Sequence, residues 1–152
     1  MAGVQEDASE LIFGEDLDGN ADEDGTTCLC NAEVAMIMNS VKEDAIAKNK
    51  DLSHVFMQTD EYVMRFSGTK DPISNSASVE ALREALTGFS KERADGGVQK
   101  LHSFEIACLA NLAPESVEET HALIPSIAAK FREDEVQDIL DILEQNIHAA
   151  LG

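Results

Sequence analysis

Asp16-Leu17-Asp18-Gly19-Asn20-Ala21-Asp22-Glu23-Asp24 puts side-chain oxygens at alternate positions, the way a calcium-binding helix–loop–helix begins. The rest of that pattern fails. Ala21 stands where the sharp turn needs glycine, Glu23 where an apolar residue belongs, and Thr27 where a bidentate glutamate closes the cage. No helix is expected before the stretch, so it reads as a solvated acidic loop. Cys28-Leu29-Cys30 is too tight for the usual CxxC zinc spacing. Cys108, His54, His102, His121 and His148 supply no recognisable second pair. The cysteines read as small buried apolar residues.

Nucleophilic and phosphate chemistry find no foothold. GxSxG, a glycine-rich phosphate loop and HExxH are all missing from the sequence. Acidic residues are so frequent that no pair stands out as an acid/base couple. The expectation is a protein without catalytic residues, metal or cofactor, whose work is binding.

Charge narrows the partners. Eleven Lys and Arg face thirty Asp and Glu, a formal net charge of -19. Nucleic-acid binders gather a basic stripe that displaces phosphate counterions. The densest basic cluster here is Lys91, Arg93 and Lys100, interrupted by Glu92 and Asp95. Little direct nucleic-acid binding is expected, and an anionic lipid surface would repel the chain. The N-terminus has no basic, then apolar, leader pattern, and no apolar run approaches the ~20 residues that span a bilayer. An odd cysteine count does not read as a disulfide framework. The expected partners are proteins with apolar or basic surface, in the nucleus or cytoplasm.

The elements follow from periodicity. Residues 1–41 lack Lys and Arg altogether. Leu11-Ile12-Phe13 is an apolar island in this acidic arm, too small to fold alone, and an extended strand against another surface suits it. From Asn31, a candidate N-cap, the period becomes helical through Val34, Ile37, Met38, Val41 and Ala45. A second helix is expected from about Leu52 to Phe66, with Leu52, Val55, Phe56, Val63 and Phe66 on one face. A third begins near Ser76 and carries Val79, Leu82 and Leu86. Gly88 to Gln99 reads as a loop. Ser103 is a candidate cap for a short helix, and Ser116-Val117-Glu118-Glu119 forms a capping box for another that ends near Leu123. Asp134-Glu135-Val136-Gln137 opens the last helix, with Val136, Ile139, Leu140, Leu143 and Ile147 as its apolar stripe. Short helices and tight turns predict an all-α bundle over 31–152 behind a partner-binding arm and loop over 1–30, with any β structure confined to the arm.

Leu101-His102-Ser103-Phe104-Glu105-Ile106-Ala107-Cys108-Leu109-Ala110-Asn111-Leu112-Ala113-Pro114-Glu115, continuing through Val117 to Ile127, resembles the family of the fourth subunit of eukaryotic RNA polymerase II. Glu6 to Phe13 is similar to that family's N-terminal arm, and Leu52 to Met57 with Tyr62, Arg65, Phe66 and Ser67 to its second helix. Two features depart from it. Gly68-Thr69 precede Lys70 where an aromatic and a basic residue are common, and the short basic aromatic tail has no counterpart in 146–152.

The resemblance implies an HRDC-like helical bundle and a non-catalytic stalk subunit in the nucleus. It implies pairing with the seventh subunit, an OB-type partner, and through it with the polymerase core, supporting initiation and factor recruitment near the RNA exit. It also implies that Leu11, Ile12 and Phe13, together with Leu29, Val34, Ile37, Met38 and Val41, meet that partner. Phe104, Leu109, Leu112, Leu123, Ile124 and Pro125 read as core and turn. The rival readings are the equivalent stalk subunit of another nuclear polymerase and a free nucleic-acid-binding helical module.

Overall fold

A computed structural model describes residues 5–13, 27–68 and 71–151. The loop carrying Asp16 to Asp24, and Thr69 and Lys70, lie outside the described residues. Seven α-helices follow a short 3-10 turn at Ala8–Glu10: α1 Asn31–Ala47, α2 His54–Arg65, α3 Ser76–Gly88, α4 Ser103–Leu112, α5 Val117–Leu123, α6 Pro125–Lys130 and α7 Glu133–Leu151. The architecture is an all-α helical bundle.

The bundle centres on α7. Val136, Ile139, Leu140 and Leu143 recur at helical spacing, so one stripe of α7 is buried. Leu86 of α3, Ile106 and Leu109 of α4, and Ile124 and Ile127 around α6 close over it. Each such side chain, fully buried, contributes about 2 kcal/mol of transfer free energy.

The helix ends show where local chemistry differed from expectation. Cys30, not Asn31, is the N-cap of α1: Glu33 Oε1 accepts from the Cys30 amide at 3.0 Å. Asn31 is freed to donate to the Phe66 carbonyl at 2.9 Å. His102, not Ser103, caps α4, its Nδ1 accepting from the Phe104 amide at 3.0 Å while Glu105 reaches back to the His102 amide at 2.8 Å. At the start of α5, Ser116 Oγ accepts from the Glu119 amide as expected, while Glu119 reaches one residue beyond the N-cap, to the Glu115 amide. Helix α6 was not foreseen. Pro125 ends α5 and then occupies the first turn of α6, where a missing N–H costs nothing.

Two expectations about β structure are corrected. Gly88 to Gln99 is not simply a loop: β1 (Ser90–Glu92) pairs antiparallel with β2 (Val98–Lys100), so β structure is not confined to the arm. Each strand has only three residues and no apolar alternation, which left no readable period. The hairpin is held by charge instead. Arg93 forks onto Glu135 at 2.9 and 3.0 Å and donates to the Lys130 carbonyl, and Lys91 reaches Asp138 at 3.1 Å. The hydrogen bonds from Arg93 hold the Glu135 carboxyl below its usual range.

Leu11 to Phe13 is not an extended strand either. Asp7 accepts from the Ser9 amide and hydroxyl and starts the 3-10 turn. Leu11 takes a left-handed backbone (φ 59°), and Asp7 and Ile12 exchange two backbone hydrogen bonds. The chain doubles back within six residues because the aspartate offers the backbone a local partner.

A buried ion network ties the lower bundle together. Glu105 is fully buried; it accepts from Lys130, from Ser126 Oγ at 2.7 Å and from the His102 amide. Such a carboxylate is tolerable only because its lone pairs are met. Leu112 and Leu123, read as core, are half exposed, each being the last residue of a short helix; Leu109 and Ile124 are core.

Candidate partner interface

The start of α1 is clamped from three sides. Arg83 on α3 donates to both Glu33 oxygens, at 3.0 and 2.5 Å, and to the Cys28 carbonyl at 2.8 Å. Ser103 Oγ accepts from the Cys28 amide at 3.1 Å, and Asn111 Oδ1 from the Asn31 amide at 2.8 Å. Partial burial works against the Glu33 carboxylate, but the hydrogen bonds from Arg83 and the Cys30 amide outweigh it, and its pKa lies below the ordinary 4.5. The arm's end is therefore fixed to the bundle by hydrogen-bond partners 50 to 80 residues away. No local pattern could have announced Arg83, Ser103 or Asn111 as anchors, because their partners are set by the fold.

The cysteines are structural. Cys30 packs with Ala32, Val79 and Ala107, and burial pushes its thiol up to about 11. Cys28 and Cys108 are free and half-buried. Among the described residues no group of three His, Cys, Asp or Glu could hold a metal ion, and no helix is long and apolar enough to cross a membrane.

The eight residues expected to meet a partner separate into two sets. Leu29, Ile37 and Val41 are exposed. Leu11 and Ile12 are half-buried, and Leu11 lines a groove of about 450 Å³ with Thr27, Lys100, Leu101 and His102. Phe13 turns inward, its ring 5.1 Å from His102 and 5.3 Å from Phe104. Met38 is buried with Ala35 and Val63 in the seam between α1 and α2, and Val34 packs at its edge. Helical phase points Met38 at α2, whose apolar side the sequence could not orient.

The one-faced reading of α2 also divides. Phe56 and Val63 face α1, whereas Val55, Tyr62 and Phe66 are exposed. A Lys42–Asp60 ion pair at 2.8 Å bridges the two helices. Helices α1 and α2 thus form a hairpin with apolar residues both inside and outside.

Residues 28–146 match the sequence model of the family described as RNA polymerase Rpb4. The chain belongs to that family. It is 33% identical to DNA-directed RNA polymerase II subunit 4 of Arabidopsis thaliana over 87% of this chain and 85% of that protein. It is 32% identical to the rpb4 subunit of RNA polymerase II of Dictyostelium discoideum over 93% and 90%. The match to RNA polymerase II subunit RPB4 of Saccharomyces cerevisiae, at 34% identity, covers 60% of this chain and 34% of that protein. The Rpb4 match begins at Cys28, where the clamp on α1 begins, and ends at Asn146, near the end of the buried stripe of α7.

Proposed function

We propose that this chain is the fourth subunit of RNA polymerase II, a non-catalytic nuclear subunit that pairs with the seventh subunit to form the stalk and joins the polymerase core through it. The observation that carries this is the Rpb4 family match over 28–146, together with relatives named as polymerase II subunit 4 that align over 85% and 90% of their length. The charge of -19 agrees with a subunit that meets protein and leaves nucleic acid to others.

In this reading residues 1–30 are a partner-binding arm and loop, and 31–152 the bundle that carries it. Leu11, Ile12, Leu29, Ile37 and Val41 contact the seventh subunit, with Val34 at the margin. Phe13 and Met38 support that surface from beneath, since their rings and chains are occupied within the bundle.

The test is affinity purification of the tagged chain from nuclear extract, followed by identification of the large subunits. Recovery of the polymerase II large subunits with the seventh subunit is the expected result. Recovery of another nuclear polymerase's large subunits, or of none, would overturn the assignment. Amide hydrogen exchange of the chain with and without the seventh subunit then locates the surface, with new protection expected at 11–13 and 31–41.

A further inference from the structure

We infer that α2 supplies the larger half of the partner surface, through Val55, Tyr62 and Phe66. This rests on the pairing proposed above and extends it to residues outside the arm and α1.

Successive helical residues step by about 100° around the axis. On α1 the seam facing α2 is Ala35, Met38 and Lys42, and Ile37 and Val41 lie roughly 90–130° to one side of it. On α2 the seam is Phe56, Asp60 and Val63, and Val55, Tyr62 and Phe66 lie roughly 90–130° away, in the same rotational sense. The helices run antiparallel, since Asn31 meets Phe66 while Lys42 meets Asp60. The same rotational sense on two antiparallel neighbours puts both sets on one side of the hairpin. Ile37 and Val41 therefore share a single face with Val55, Tyr62 and Phe66.

Size favours the wider face. Val55 is 71% exposed, Tyr62 58%, Ile37 53%, Phe66 49% and Val41 44%. Together they expose on the order of 500 Å², in the range of the largest apolar patch on a typical monomer, which is often functional. Ile37 and Val41 alone expose only about 150 Å², against the ~800 Å² each partner contributes to a standard interface.

Chemistry selects the occupant. On a chain of net charge -19 the five side chains of this face carry no charge. Beside them stand the Asp44–Lys48 pair at the far end of α1, 3.1 Å apart, and Arg65 next to Phe66. The Tyr62 and Phe66 rings pack 4.8 Å apart, with the Arg65 guanidinium 5.4 Å over Phe66, giving the aromatic and arginine content that dominates protein–protein binding energy. An apolar face with an aromatic centre and an arginine at its edge fits the apolar surface of a folded protein.

The test compares binding of the seventh subunit from the same organism to the full chain and three double or single variants by titration calorimetry, with circular dichroism melts confirming the fold. Val55→Ser with Tyr62→Ser probes α2, Ile37→Ser with Val41→Ser probes α1, and Val98→Ser, an exposed site on β2, is the control. The expected result is at least tenfold weaker binding for the α2 variant and no change for the control. An unchanged α2 variant beside a weakened α1 variant would overturn this inference and leave the pairing standing. Failure of the unaltered chain to bind would overturn both. Concentration-dependent dimerisation of the free chain, lost in the α2 variant while pairing is unaffected, would assign the face to a second copy and so overturn it as well.

Discussion

Replacing Arg83 with alanine tests the claim that this side chain, alongside Ser103 and Asn111, fixes the arm's end to the bundle. The substitution removes both hydrogen bonds to Glu33 and the one to the Cys28 carbonyl. The Arg83 and Glu33 side chains are only 19% and 18% exposed. Exposed ion pairs contribute at most ~1 kcal/mol, whereas breaking a buried one costs about 3–5. This pair sits near the buried end, so a loss of about 2–3 kcal/mol is expected. For a chain of this size that is a fall in melting temperature of about 5–10 °C. Lys48→Ala, which breaks an exposed pair on the same helix, should change stability by less than ~0.5 kcal/mol.

The sign of the pH dependence follows from Glu33. Its folded pKa is depressed, so its stabilisation is full above the ordinary 4.5 and is lost as pH falls through the folded value. The gap between wild type and Arg83→Ala should therefore narrow in acid. Urea denaturation at pH 7 and through the acid range measures both quantities. A change under ~0.5 kcal/mol at pH 7, with no narrowing in acid, would refute the reasoning.

Gly68→Ala should destabilise by about 2 kcal/mol or more, because φ is +74° and the new Cβ would lie 2.7 Å from the Ala110 carbonyl oxygen; thermal melts check this. Glu105→Ala should cost about 3–5 kcal/mol by leaving Lys130 and Ser126 without their acceptor, measured by chemical denaturation. Leu143→Ala should cost about 2–5 kcal/mol, measured the same way, since α7 has no freedom to collapse over the lost volume. Cys30 should resist a thiol reagent at pH 8 until the chain unfolds, its thiol being buried with a pKa of about 11; mass spectrometry of the labelled peptides reads this out.

Helix by helix, legibility tracked the range of the interactions involved. The stripe Val136, Ile139, Leu140, Leu143 was readable because burial at period 3.6 leaves its mark in consecutive turns. The Ser116–Glu119 cap was readable because both partners lie within three residues. The β1–β2 hairpin was not, because its hold on the bundle comes from Arg93 and Lys91 reaching acids some 40 residues on. The outward face of α2 was not, because Val55 and Phe56 are equally apolar and only the position of α1 decides which is covered.

Composition and periodicity alone therefore determined an acidic, helical protein without recognisable catalytic motifs, because those properties depend on residue types and local spacing, and the resemblance of 101–127 to a known family pointed to its kind. Tertiary structure alone decided which apolar residues are spent on the core and which remain for a partner. Phe13 and Met38 went inward, and Val55, Tyr62 and Phe66 stayed out. The physical reason is that a hydrophobic side chain gains from burial against any surface, and only the packed arrangement of helices determines which surface it meets first.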